Sequence, residues 1–492
     1  MSLEQRLNQK ISHRLLPDAS RVITKPFLPG EEKFSGVASR VEIILCRVLA
    51  LPEAEVTSLL ARLLRDFGSR HRDYEQILES GFANVAHHLS HGVELTRERG
   101  LLIGAYFTHE FSIEAAALFN PSIVAAPDQS ALQPGELRFI MSARAVGEGH
   151  LSSIEFRTGI VDADGGIVLD PLSPYAMTGH RETPIYDKQL FSTKLTELGA
   201  DMTSVAGVLE PLPAEFSYKQ LSASIGRIEK DHSRGSVETL RLIHWLSSSN
   251  YVVTFPGDSQ LAERVIFPAG PNESRGMEDA RFVRFIDDDG SVTYYATYTA
   301  FDGVNILPQC IVTKDFLSFR IETLNGSGAR NKGMAFFPRR IDGRYAMLGR
   351  CDAESIFLMT SDNVRLWNRA EKIHVHMRSW ELVQMGNCGS PIETADGWLV
   401  LTHGVGPMRR YSIGAMLLDI DDPRRVVAQL PEPLLLPSEA DRNGYVPNVV
   451  YSCGSLVHRD HLVLPYGFSD FGIAFMTLSL GELLESLRAN QV

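Results

Sequence analysis

Along the first quarter of the chain, apolar residues recur at intervals of three and four. Val56, Leu59, Leu60, Leu63, Leu64 and Phe67 follow Pro52 and stop before Gly68, which predicts an amphipathic helix with a proline in its first turn and a glycine at its end. Tyr74, Ile77, Leu78, Phe82 and Val85 repeat the pattern, and the segment from Thr108 to Leu118 is predicted to supply another helix. Residues 1 to about 37 mix charge with proline and glycine and are expected to lie as an arm over something else.

After Asn120 the period drops to two, and one supersecondary unit returns five times, starting at Asn120, Met277, Lys332, Gly389 and Pro447. Each copy reads strand, acidic or glycine turn, strand, loop, third strand. Repetition at about forty to fifty residues is the mark of a propeller, whose blades bury their faces only against their neighbours. The chain is therefore expected to be mainly β, a five-bladed β-propeller. An α-helical region precedes it, and a helical insertion (about 171–265) separates the first two blades, with helical patches around Asp187–Leu198 and Ser236–Leu246. The expected divisions are 1–117 for arm and helices, 118–480 for the propeller, and 481–492 for a tail.

Composition narrows the partners. The 492 residues are 44% hydrophobic, ordinary for a globular chain with a sizeable core. Sixty acidic against 48 basic residues give a formal charge of −12, so nucleic acid is not an expected ligand, although a local basic pocket for a small anion is compatible with that total. The five cysteines (Cys46, Cys310, Cys351, Cys388, Cys453) are scattered without a CxxC pair, which fits a reducing cytoplasm, and no run approaches the about 18 apolar residues of a membrane span. His87, His88 and His91 lack a carboxylate or cysteine at ligand spacing and are read as structural; no metal and no cofactor is expected.

In a propeller the ends of the inner strands converge on one axis, so polar residues at matching positions in different copies become neighbours. Those positions hold Asn120 and Arg144; Glu278, Asp279, Arg281 and Asp302; Arg330, Asn331, Lys332 and Arg350; His403 and Tyr411; Asn448, Tyr466 and Asp470. Guanidinium groups gathered with a histidine would make an oxyanion pocket, and acids opposite them suit sugar hydroxyls. Plainer roles stand beside these: Asp302 and Asp470 as turn-capping acids, His403 as a core histidine, Arg350 as the partner of Asp352 or Glu354. Arg409-Arg410 and Asp287-Asp288-Asp289 read as solvated loop features, and no chemistry is assigned to them.

The segments GMEDARFV, YTAFDG, ARNKGMAFFP with YAMLGR, GSPIETADGWLVLTHGV with YSIGAMLLD, and VPNVVYSCG with YGFSD together resemble glycoside hydrolase family 130, the β-mannoside phosphorylases and related β-mannosidases. The likeness runs from about Asn120 to Leu480, and the helical front end is similar to the extension carried by a subset of that family. The resemblance implies inverting phosphorolysis of β-mannosides, such as β-manno-oligosaccharides, giving α-mannose 1-phosphate, with inorganic phosphate as co-substrate. It makes Asp279 the general acid, its proton passing through a sugar hydroxyl. It puts Arg330, Asn331, Arg350, His403 and Tyr411 around the phosphate, and Asn120, Arg144, Asp302 and Asp470 around the mannosyl unit; Glu278, Arg281 and Lys332 complete the substrate-binding set. Gln384 stands where the family pattern leads one to expect a phosphate-binding lysine, which keeps open an inverting β-mannosidase that uses water. A propeller that binds glycans without turnover is the reading from another class. A homo-oligomer is compatible with all three.

Overall fold

A computed structural model of the protein describes residues 10–29, 39–89, 93–230 and 236–492. The chain is mainly β with helical additions. Five antiparallel sheets succeed one another in sequence. The first holds Ala117–Ala125, Leu137–Val146, Ser152–Val161 and Ile167–Leu169. The second holds Gly276–Ile286, Val292–Phe301, Ile306–Thr313 and Ser318–Thr323, with Tyr251–Thr254 outside them. A single bridge from Gly276 to Ser152 links these two. The third runs from Ala335–Phe336 to Ala370–His374, the fourth from Gln384–Asn387 to Val426–Gln429. In the fifth, Val450–Tyr451, His461–Phe468 and Gly472–Ser479 are joined by Lys10–Leu15 from the other end of the chain.

Strand alternation explains how the sheets meet. Successive side chains point to opposite faces, so a strand covered on both sides is apolar at every position. In the fourth sheet Trp398 and Val400 pack toward Phe337 and Leu348 of the third, while Leu399 and Leu401 pack toward Leu462 and Leu464 of the fifth. Phe139 and Met141 of the first sheet likewise meet Val463 and Phe475 of the fifth, and Ile140 and Phe156 meet Phe282 and Tyr294 of the second. Val283 and Phe285 turn from the second sheet to Phe336 and Met347 of the third. Five apolar clusters thus lie between sheets, and one of them joins the fifth sheet to the first.

The predicted helix appears as Glu53–Phe67 between Pro52 and Gly68. The segment Thr108–Leu118 is not a helix: Thr108–Ser112 pairs with Val22–Pro26, and Ala117 already begins the first sheet. Backbone pairing with a distant strand outweighs the helical propensity of its alanines and glutamates. The arm is likewise partly strand, and Arg21 ties it down inside a buried cluster: its guanidinium reaches Glu114 at 2.8 Å and Glu155 at 2.9 Å, and Arg157 joins both carboxylates from the other side. The expected tail is the helix Leu480–Arg488, whose Leu483, Leu484 and Leu487 are buried. The insertion carries the helices Lys188–Glu197, Met202–Leu209, Tyr218–Lys230 and Val237–Ser248 around a core of its own. His87 and His88 form a short turn after helix Tyr74–Val85, and His91 lies outside the described residues. Among the described residues no helix is long and apolar enough to cross a membrane.

Candidate functional site

Asp279 sits in a β-bulge. The register of strand Gly276–Ile286 shifts between Glu278 and Arg281, and Asp279 takes a left-handed backbone with φ of 57°. Asn120 repeats the device one sheet earlier, with a register shift between Phe119 and Ser122 and φ of 49°. Asn331, Asn448 and Asp470 are left-handed too. Asp and Asn tolerate this conformation better than other residues with side chains, and a bulge re-aims the residue it carries. Five of the sixteen left-handed non-glycine residues among the described residues are thus drawn from the candidate list.

The acidic side is tightly bonded. Asn120 Nδ2 donates to Asp279 Oδ1 at 2.7 Å, and Arg144 reaches Glu278 at 3.0 Å and Asp279 at 3.5 Å. Lys332 Nζ closes on the other oxygen of Glu278 at 2.5 Å. Burial pushes the Asp279 carboxyl up, but Arg144, Arg281 and the Asn120 amide outweigh it and hold Asp279 below its ordinary value. Asp279 is therefore a carboxylate at neutral pH. Asp470 goes the other way: burial and the charge of Asp279 raise it to about 6. The two acids therefore titrate as a pair around Arg144, with the more readily held proton on Asp470.

The basic side lies across the third and fourth sheets. Arg350 and His403 are buried, and Arg350 Nη1 is 3.2 Å from His403 Nε2. An arginine only donates, so Nε2 is the acceptor and the imidazole proton is on Nδ1. Burial and the Arg350 charge keep that imidazole well below its ordinary value, so it is neutral. Tyr411 stacks on His403 with centroids 6.2 Å apart, and Tyr451 lies 4.9 Å away. Gly386 leaves the room this needs, since a Cβ there would stand 2.6 Å from the imidazole. Gln384, two residues back, shares the strand face of Gly386. Arg350 does not pair with the acids beside it in sequence. Lys372 takes Asp352 at 2.7 Å, and no carboxylate stands within ion-pair distance of Arg350 among the described residues. Among the described residues its buried Nε has no partner.

Some expected residues have other duties. The Asp302 carboxylate caps its own turn, accepting from the amides of Val304 at 2.8 Å and Asn305 at 2.6 Å, as the plainer alternative had it. Arg281 is buried and donates to the Asn387 carbonyl at 2.7 Å and the Tyr451 hydroxyl at 2.5 Å, so it acts on Asp279 through its field while bracing the fourth and fifth sheets. Arg330 is exposed, next to Asn331, whose Oδ1 accepts from the Lys332 amide. Arg409 was assigned no chemistry from the sequence, yet it stands on a left-handed turn 6.0 Å from the Tyr411 ring and its charge bears on Asp470. Tyr451 was missed as well; its signal was the tyrosine inside VPNVVYSCG.

A family model described as β-1,4-mannooligosaccharide phosphorylase matches residues 253–489, from the outer strand of the second sheet to the final helix. A 1,2-β-oligomannan phosphorylase of a Thermoanaerobacter species is 32% identical over 249 residues, 49% of this chain and 81% of that protein. The chain belongs to glycoside hydrolase family 130. Another relative is a β-1,2-mannobiose phosphorylase of Listeria innocua, 29% identical over 45% of this chain and 63% of its own length. A solved structure of β-1,2-mannobiose phosphorylase from Listeria innocua is 20% identical and aligns over 77% of this chain and 94% of its own, with a TM-score of 0.44. This family 130 chain carries its helical front end and first sheet outside the matched segment.

Proposed function

We propose that this protein is an inverting β-mannoside phosphorylase built as a five-bladed β-propeller, with the five sheets as blades and Asp279 and Arg350 on opposite sides of one central funnel. Apolar clusters between every consecutive pair of sheets, the fifth and first included, support the propeller. In the reaction a phosphate oxygen forms a bond to the anomeric carbon as the glycosidic C–O bond breaks. A proton from Asp279, passed through a sugar hydroxyl, ends on the leaving oxygen, and α-mannose 1-phosphate results. No metal or organic cofactor is invoked; inorganic phosphate is the co-substrate.

One observation carries the reading: Arg350 is a buried guanidinium with no carboxylate within ion-pair distance among the described residues. Such a charge is costly unless an anion arrives to pair with it. Phosphate fits, because it accepts two parallel N–H bonds and leaves neutral His403 and Tyr411 to supply hydrogen bonds without further charge. An incoming anion also offsets the cationic field that holds Asp279 ionised, so phosphate binding helps the acid take up the proton it must give. A single donor suffices, since phosphate is already nucleophilic whereas water needs a base. Gln384 in place of a lysine favours the second reading, hydrolysis. β-Mannobioses incubated with and without phosphate separate the two: mannose 1-phosphate formed only with phosphate supports phosphorolysis, and free mannose released equally without it would refute it.

A further inference from the structure

The loop that carries Arg330 and Asn331 runs from Leu324 to Met334, between the second and third sheets. Its backbone is laced to Trp367, in the loop between the strands Ile356–Ser361 and Ala370–His374 of the third sheet: the Trp367 amide donates to the Asn325 carbonyl at 2.7 Å, and the Gly328 amide donates to the Trp367 carbonyl at 2.8 Å. Gly326 is left-handed with φ of 101°, and a Cβ there would stand 2.4 Å from the Trp367 carbonyl oxygen, so only glycine fits. The Gly326 amide does not bond to this lacing. It donates to Glu197 Oε1 at 2.6 Å, from the last turn of the insertion helix Lys188–Glu197. The other Glu197 oxygen takes the ammonium of Lys194 at 2.5 Å, and Lys194 is 5% exposed. Lys194 also lies close enough to Arg330 for that guanidinium to depress it further after burial has done so.

We propose that Glu197, held by Lys194, is a positioning residue for phosphate: it fixes the Gly326 amide and through it the place of Arg330 and Asn331, so the helical insertion sets phosphate affinity. The inference rests on the phosphorylase reading and, within it, on the phosphate contacts that the family 130 resemblance implies for Arg330 and Asn331. Lys194 locks the Glu197 rotamer, and Glu197 neutralises the cation facing Arg330. Three residues separate the clamped Gly326 amide from Arg330, within the range over which a remote shift degrades a binding geometry.

The test is the KM for phosphate and for a β-mannoside in wild type and three variants. Glu197→Ala should raise the phosphate KM about tenfold and leave the mannoside KM within about twofold. Glu197→Asp keeps the charge beside Lys194 but withdraws the oxygen from Gly326, and should move the phosphate KM the same way. Lys194→Met/Glu197→Gln retains a neutral acceptor for the amide without the Lys194 lock and should recover most of the loss, with a phosphate KM within about threefold of wild type. Unmoved phosphate KM values, a parallel rise in both KM values, or a double variant as impaired as Glu197→Ala would each overturn the positioning role. Wild type without phosphate-dependent product would sink the phosphorylase reading and this one with it; active wild type with unmoved variants would sink this one alone.

Discussion

Replacing Arg350 with methionine separates function from stability, because the two should respond differently. Arg350 Nη1 is committed to His403, which leaves Nε and the second terminal nitrogen for an anion. Each charge-assisted bond is worth about 1.5–3 kcal/mol, so the loss of two of them at the low end of that range should cost the variant about 3 kcal/mol of phosphate binding. At about 1.4 kcal/mol per decade that is a rise of about a hundredfold in phosphate KM. Stability should barely move. No carboxylate is orphaned, and the lost bond to His403, about 1 kcal/mol, is offset by removing an unpaired charge from the interior. Initial rates against phosphate and a thermal melt provide the assay, with a Tm expected within about 3 °C of wild type. A melt lowered by more than about 5 °C with an unchanged phosphate KM would make Arg350 a structural residue and remove the argument for the anion pocket.

Asp279→Asn should cost about three or more decades in kcat with the fold intact, since the amide cannot donate the acid's proton; near-normal turnover would take Asp279 out of the reaction. Asp470 is raised to about 6 when folded, so between its ordinary carboxylate value and pH 6 the native state holds a proton that the unfolded chain has released. Its contribution to stability is therefore present at low pH and lost as pH rises through 6, by up to about 1.4 kcal/mol per pH unit. Asp470→Asn should flatten that part of the Tm-against-pH curve, and an unaltered curve would contradict the assignment. Arg21→Met leaves Glu114 and Glu155 with Arg157 alone and should destabilise by about 3 kcal/mol, at the low end for a broken buried pair because burial and Glu155 already favour a proton on Glu114. An unshifted denaturant midpoint would show that the cluster does not anchor the arm.

The succession of sheets was legible because its signal is local and repeated. Runs such as Trp398-Leu399-Val400-Leu401, apolar at every position, announce a strand covered on both faces, and the copies recur in register with their turns. Thr108–Leu118 was misread because its strand partner, Val22–Pro26, lies about 85 residues away, and propensity carries no information about such a partner. Among the candidate residues, asparagines and aspartates at strand mouths were the readable part, since those residue types tolerate the left-handed backbone that Asn120, Asp279, Asn331, Asn448 and Asp470 adopt. What Arg350 lacks could not be read: Asp352 sits two residues away, and only the spatial position of Lys372 shows that this acid is taken. Arg409 failed for the opposite reason. A doublet of arginines in a loop looks solvated until the fifth sheet brings Asp470 beside it.

The strand Lys10–Leu15 pairs with Ile473–Thr477, so the first and last strands of the described chain are hydrogen-bonded neighbours more than 450 residues apart in sequence. Closing a loop of that length comes late, after the more local hairpins have formed, and until then the outer edge of the final sheet stays open to pairing with other molecules. Refolding should accordingly show a slow last phase, and Arg21, a few residues beyond the strand and already fastened to the first sheet, is placed to keep the loose end near its seat while that phase runs.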